Sequence, residues 1–271
     1  MREERQCSKL EKKMQKTRKI TLYENKTQLI ISAIDKIVVE IFNKKENDKQ
    51  AQSILLTGCS ALTGTTSTCI GLAIAVANTQ RKTLLIDCDM RKIVKYKKLN
   101  EQATTGLSDF LSQEHLQEIM KPEEVFYETN IENLTYIPCG AKTDNPTRLL
   151  CSTKMEELLK VANENYDCII FDFPSLTIVP DAQTLFPVVD GIILLSALGE
   201  TRKSQIKEAK FRVKPYHDKY YGMIVNKIPL DMYRSNAKDY DYYFINQDGE
   251  QKLNGSPAHK KYMEETERRT K

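Results

Sequence analysis

Apolar residues in this chain gather in short unbroken runs. Ser53–Cys59, Thr83–Asp89, Leu134–Pro138, Cys168–Phe171, Ile192–Ser196 and Met223–Val225 each read as a strand, and none alternates apolar with polar positions. A strand that is apolar on both sides is buried on both faces, which is the signature of a parallel sheet covered by helices. Helical spacing appears between the runs. Thr66–Thr79 is rich in Ala, Ile and Val, and Arg202–Val213 carries a helical pattern. Thr153–Asn165 puts Met155, Leu158, Leu159 and Ala162 on one face. Strands alternating with helices predict an α/β fold with a mostly parallel sheet and helices on both faces. A further helix, roughly 26–42, precedes this body with an apolar face of its own.

The chain of 271 residues is ample for one large core. The economical division is a basic N-terminal tail over 1–19, an α/β domain over 20–230 and a polar tail over 231–271 that contains tyrosines. Residues 1–19 hold eight Lys/Arg against three Glu, a local charge of +5 that exceeds the net +4 of the whole chain. Such a tail suits an anionic membrane face or nucleic acid, and equally a solvated segment with no fixed partner. No apolar run is long enough to cross a bilayer, and no signal peptide precedes the first apolar segment. The seven cysteines form no C-x-x-C pair and several lie inside apolar runs, which points to reduced, buried thiols in a cytoplasmic protein.

The chemistry concentrates where strands end. Cys59-Ser60-Ala61-Leu62-Thr63-Gly64-Thr65-Thr66 lies between a strand and a helix, the setting of a phosphate-binding loop. Gly64 stands at the second glycine and Thr66 at the hydroxyl of such a loop, while Thr65 occupies the lysine position. Gly64, Thr65, Thr66 and Ser67 are the nucleotide-binding candidates. Asp87, Asp89 and Asp172 fall at the carboxyl ends of two other strands, where open α/β sheets bind ligands. If those strands are neighbours, Thr66, Asp87 and Asp172 converge on one Mg²⁺, an ion that takes a few hard oxygens plus water and phosphate. Any single aspartate there is better explained by capping the next helix, and it is three such strand ends together with a Gly/Thr loop that point to a nucleotide site or its remnant.

These motifs resemble a known family. "TLLIDCDMRK" resembles the Walker A′ motif, and "CIIFDFP" the Walker B motif, of the bacterial tyrosine kinases (BY-kinases, CpsD/CapB type) of capsule and exopolysaccharide synthesis. "GLSDFL" (106–111), "IPCGAKTDNPTRLL" (137–150) and "PDAQTLFPVVDGIILLSALGETR" (180–202) accompany them in the same order, so the resemblance runs from about Ile20 to Pro229. It implies a doubly wound α/β fold of the MinD/ParA-like branch of P-loop proteins, with ATP and Mg²⁺ as cofactors. Family members pass the γ-phosphate of ATP to clustered tyrosines at their own C-terminus, between neighbouring subunits of a ring. By resemblance Thr66, Asp87 and Asp172 serve Mg²⁺, Asp87 and Asp89 serve the reacting tyrosine and phosphate, Arg91 completes the catalytic motif, and Asn226 meets the adenine. The implied phosphoacceptors are Tyr233, Tyr240, Tyr242, Tyr243 and Tyr262. A tyrosine-rich tail is also explained by docking on the domain surface. The implied partner is a transmembrane polysaccharide co-polymerase that activates the kinase and recruits it to the inner face of the membrane. Self-association is implied too, and no nucleic acid.

Two departures fall on working parts. The family reads P-G-x-G-K-[ST] where this chain has Ala61-Leu62-Thr63-Gly64-Thr65-Thr66, so Leu62 replaces a glycine and Thr65 the cation. Phosphoryl transfer rests on positioning and charge stabilisation, and losing that contact costs on the order of 10²–10³ in rate. Arg81, Lys82 and Arg91 are the candidate substitutes. The ring-assembly signature E-x-x-R-x-x-R keeps Glu24 but has Thr27 and Ile30 at the arginines. Three readings stay open: an autokinase of reduced activity, a pseudokinase acting as a regulatory binding module, and a MinD/ParA-like positioning ATPase.

Overall fold

The computed structural model describes residues 19–23, 27–44, 51–91, 103, 105–113, 120–229 and 232. The chain divides into two units, Met1–Lys227 and Ile228–Lys271. The first holds every strand and every helix of three residues or more among the described residues. Its strands are β1 (Lys19–Ile20), β2 (Gln52–Gly58), β3 (Thr83–Asp87), β4 (Tyr127–Thr129), β5 (Leu134–Ile137), β6 (Cys168–Phe173), β7 (Gly191–Ala197) and β8 (Tyr220–Asn226). Its α-helices are α1 (Gln28–Asn43), α2 (Thr65–Ala77), α3 (Leu107–Leu111), α4 (Pro146–Leu150), α5 (Thr153–Asn165) and α6 (Lys203–Val213).

One sheet runs in the order β1-β4-β5-β3-β6-β2-β7-β8, and every pairing is parallel except β4 with β5. The strands alternate burial between two cores, as a doubly covered sheet requires. Leu55, Ile86, Phe171 and Leu194 join α3, α5 and α6 on one face. Ile54, Leu56, Leu85, Ile170 and Leu195 pack with α1 and α2 on the other. The expected parallel α/β architecture is therefore the observed one. From β2 the chain crosses to β3 on one side, returns to insert β6 between them, then adds β7 and β8 on the other side. The order thus reverses around β2, and a crevice at such a reversal is where these sheets bind ligands.

The sequence pattern missed β1, β4, α3 and α4. Each is five residues or fewer, too short to display a period, and is held by tertiary contacts. Lys19, counted with the basic tail by composition, pairs in register with Glu128. Two of the accompanying motifs turn out to grip each other. Leu107 and Ser108 donate their N–H groups to Pro138 O and Cys139 O at 2.8 and 3.0 Å. Ser108 Oγ donates to Ala141 O at 2.7 Å. A Cβ on Gly106 would lie 2.4 Å from Gly140 N, so "GLSDFL" and "IPCGAK" can approach only with glycine there. No helix among the described residues is long and apolar enough to cross a membrane. Cys59, Cys69, Cys88, Cys139 and Cys168 are buried reduced thiols, Cys151 is exposed, and Cys7 lies outside the described residues.

Candidate active site

The loop from Cys59 to Gly64 leaves β2 at its carboxyl end and enters α2 at Thr65. It is pinned on three sides. Cys59 N–H donates to Leu195 O of β7 at 2.6 Å, and Leu176 N–H donates to Gly58 O at 3.0 Å. Thr177 Oγ1 donates to Cys59 O at 2.9 Å, and the hydroxyls of Ser60 and Thr201 lie 2.9 Å apart. Gly64, the N-cap of α2, has φ 86° and ψ 23°, a left-handed conformation that glycine adopts without strain. The N–H groups of the first turn of α2 have no intrahelical acceptor, and together with the helix dipole they favour an anion. The backbone elements of a phosphate cradle are thus present.

Its side chains differ from those of a lysine-bearing loop. Thr65, the first residue of α2, turns its hydroxyl to that of Thr63, 3.0 Å away. Thr63 is itself buried. Thr66 and Ser67 follow in the first turn, Thr66 half-buried and Ser67 exposed. Leu62 has φ 59° and is 84% exposed, so the loop keeps the left-handed backbone that a glycine would supply while carrying a bulky side chain that packs on little. That conformation strains an L-residue, whereas glycine tolerates it at some cost in unfolded-chain entropy. Leu62→Gly is expected to raise stability by about 0.5–1 kcal/mol, a gain of roughly 1–4 °C in Tm. Thermal melts of the two proteins check this, and a lower Tm for the variant would mean that Leu62 is held by contacts.

The acids meet beside this loop. β3 and β6 are neighbours, and Asp87 and Asp172 are register partners across them. Both are buried and share the side of the sheet covered by α2. Asp87 Oδ1 accepts the backbone N–H of Asp89 at 3.0 Å, and Asp87 Oδ2 accepts the Tyr136 hydroxyl at 3.3 Å. Cys69, one turn into α2 from Thr66, hydrogen-bonds Asp172. Burial first, then the nearby Asp172 and Asp87, holds the Cys69 thiol well above its usual range. The same causes, burial and then Asp87 and Asp172, raise the Tyr136 phenol well above its own. Both groups therefore stay protonated and act as donors. Among the described residues no group of three or more His, Cys, Asp or Glu is gathered for a metal. The set here is two carboxylates and the Thr66 hydroxyl, a few hard oxygens that leave room for water and phosphate, and it fits Mg²⁺.

Arg91 is held by an ion pair. Its Nε and Nη2 donate to Asp181 Oδ2 and Oδ1 at 2.7 and 2.9 Å, a bidentate ion pair with a fully buried carboxylate. Thr147 Oγ1 donates to the same Oδ1 at 2.6 Å. Asp181 raises the Arg91 pKa through this hydrogen bond, against the effect of burial. Arg91 thus anchors the loop that carries Asp89 to "NPTRLL" and "PDAQ". Those two motifs contribute Thr147 and Asp181, neither of which sequence reasoning singled out. A signal was available, since both residues stand in stretches quoted for the resemblance.

The substitute cations fare as follows. Arg81 stacks on the Phe42 ring at 3.9 Å, and Lys82 precedes β3 with its N–H on the Asp167 carboxylate at 2.8 Å. Both lie at the amino end of β3, opposite Asp87, so neither replaces the missing lysine. Asn226 ends β8, and its Nδ2 donates to Thr63 O at 2.8 Å, laying the amide against Gly64. It borders the cradle with one donor engaged by the loop. Thr27 is the N-cap of α1 and Ile30 lies partly exposed in its first turn. Glu24, Tyr233, Tyr240, Tyr242, Tyr243 and Tyr262 lie outside the described residues, as do positions 1–18 of the basic tail.

Comparison with known proteins shows the family and the fold. A family model described as an AAA domain matches residues 61–194. Tyrosine-protein kinase YwqD of Bacillus subtilis is 33% identical over 196 residues, covering 72% of this chain and 79% of that protein. The chain belongs to the bacterial tyrosine-protein kinase family. Among solved structures, the chimerical protein CapA2B2 matches this family member with a TM-score of 0.67 and 25% identity, over 78% of this chain and 93% of that one. The cell division protein MinD of Aquifex aeolicus shares the fold, at a TM-score of 0.52 and 22% identity over 69% and 74% of the two chains.

Proposed function

We propose that this tyrosine-kinase family member binds ATP with Mg²⁺ and phosphorylates tyrosines of its own C-terminal tail in capsule or exopolysaccharide assembly, at a rate limited by Thr65. The observation that carries the reading is the register pairing of Asp87 with Asp172 beside the loop at the start of α2. Asp87, Asp172 and Thr66 would hold the metal, which when bound neutralises charge on the phosphates. Asp87 and Asp89 would receive the proton of an incoming tyrosine hydroxyl, a role supported by the Arg91–Asp181 pair that holds the Asp89 loop. Asn226 borders the cradle where a base would sit, and Gly64 and Ser67 contribute to the phosphate end. The acceptors are Tyr233, Tyr240, Tyr242, Tyr243 and Tyr262. A transmembrane co-polymerase is the partner that brings the protein to the inner face of the membrane and activates it. Self-association would present one subunit's tail to its neighbour.

The test is incubation of the purified chain with ATP and Mg²⁺ and a fragment of a candidate activator, followed by phosphotyrosine mass spectrometry, with Asp87→Ala as control. Phosphate on Tyr240, Tyr242 or Tyr243 that disappears in the control supports the reading. Absence of phosphate together with absence of nucleotide binding by calorimetry replaces it with a regulatory binding module.

A further inference from the structure

We propose that Tyr136 is a positioning residue of this site, whose hydroxyl holds the Asp87 carboxylate in the orientation that receives a divalent cation. The proposal rests on the reading of Asp87 as a metal ligand. Tyr136 lies on β5, next to β3, with Leu85 as its register partner. Its ring is buried among the apolar residues on the α2 side of the sheet, and its hydroxyl reaches Asp87, beyond Leu85 toward the carboxyl ends. Nothing about packing asks for a phenol at this place, since phenylalanine fills the same space without an oxygen that must be satisfied.

Two donors act on opposite oxygens of Asp87. Asp89 N–H takes Oδ1 and Tyr136 takes Oδ2, so rotation of the carboxylate about its last bond would break both. An ionised carboxylate accepts about four hydrogen bonds or their equivalent, so it can take these two donors and a cation together. Outer partners of metal ligands act in this way, fixing orientation without touching the ion. The Cys69 contact on Asp172 is the counterpart from α2, so the pair is supported from a strand and from a helix.

The experiment measures Mn²⁺, which shares the oxygen ligands of Mg²⁺ and reports binding by its electron paramagnetic resonance, on the full chain with ADP present. Tyr136→Phe keeps the ring and is expected to weaken Mn²⁺ roughly 10–100-fold. Tyr127→Phe is the control: Tyr127 is an equally buried tyrosine, the register partner of Tyr136 on β4, whose hydroxyl bonds the Thr105 backbone at 3.0 Å. Its loss is expected to lower Tm and leave Mn²⁺ affinity within about twofold of the parent, as for a residue remote from the ion. Equal loss of affinity in both variants, or none in Tyr136→Phe, overturns the positioning role while the metal site stands. No Mn²⁺ binding by the parent protein overturns the metal site and this proposal together. Should Tyr136→Phe fail to fold, Tyr136→Met, apolar and without a hydroxyl, is titrated in its place with the same outcomes, and Asp87→Asn in the parent background tests the ligand separately. A carboxamide cannot ionise, and an unchanged Mn²⁺ affinity there removes the ligand that Tyr136 is said to position.

Discussion

Thr65→Lys is expected to raise the rate of phosphotyrosine formation by on the order of 10²–10³. Position 65 opens α2, where the helix dipole and the first-turn N–H groups already favour phosphate. What the threonine lacks is a mobile charge able to follow the transferring group. A lysine there supplies a charge-assisted contact that strengthens as negative charge spreads over the phosphoryl oxygens. The substitution has a structural cost, because the Thr65 hydroxyl is paired with that of buried Thr63. Leaving Thr63 without that partner costs about 1 kcal/mol, small beside the expected gain in transition-state stabilisation. The check is a time course of phosphotyrosine formation with ATP and Mg²⁺, alongside nucleotide affinity by calorimetry. An unchanged rate would mean that the chain draws the missing charge from elsewhere, and would end the view that Thr65 limits turnover.

Asp172→Asn is expected to move stability and metal binding in opposite directions. Asp87 and Asp172 are buried register partners on neighbouring strands, and like charges so placed repel. The donors Tyr136 and Cys69 offset part of this, so a net gain of about 1 kcal/mol on removing one charge is expected, a rise of roughly 2–4 °C in Tm without metal. The same change removes an anionic ligand and is expected to lower the affinity for Mg²⁺ with nucleotide by on the order of a hundredfold. Melts with and without Mg²⁺ and ADP read both effects. A variant less stable than the parent in both conditions would show that the carboxylates are not held against their repulsion, and a retained metal-dependent Tm shift would move the site away from Asp172. Active sites commonly carry this exchange of stability for function.

Some of this protein was legible before any coordinates. The boundaries of Thr153–Asn165 coincide with α5, because a polar stretch with one apolar face admits only one helical phase. The strand ends at Asp87 and Asp172, the hydroxyl-rich loop and the missing lysine are local facts of residue identity. They depend on no distant partner and can be read in place. The short elements β1, β4, α3 and α4 were not legible, since each is held by groups far away in sequence, as Leu107 is by Pro138.

The side chains around the acids required the fold. Whether Asp87 and Asp172 face each other depends on strand order and on register. A one-residue slip of β3 against β6 would send one carboxylate to the opposite face of the sheet. Tyr136 and Cys69 look like ordinary core residues in the sequence, and only β5 beside β3 and α2 above β6 turn them into donors to that pair. Arg91 reads as catalytic by its motif and is committed to Asp181, ninety positions away, by a loop closure that no local pattern encodes. Arg81 and Lys82 stand close to Asp87 along the chain, yet a strand of five residues separates them, at its amino end, from the carboxyl end that carries Asp87. The sequence by itself determined which groups the site can use, because chemistry belongs to residue type. Only the tertiary structure decided which of them meet, because contact between distant strands is set by pairing and register.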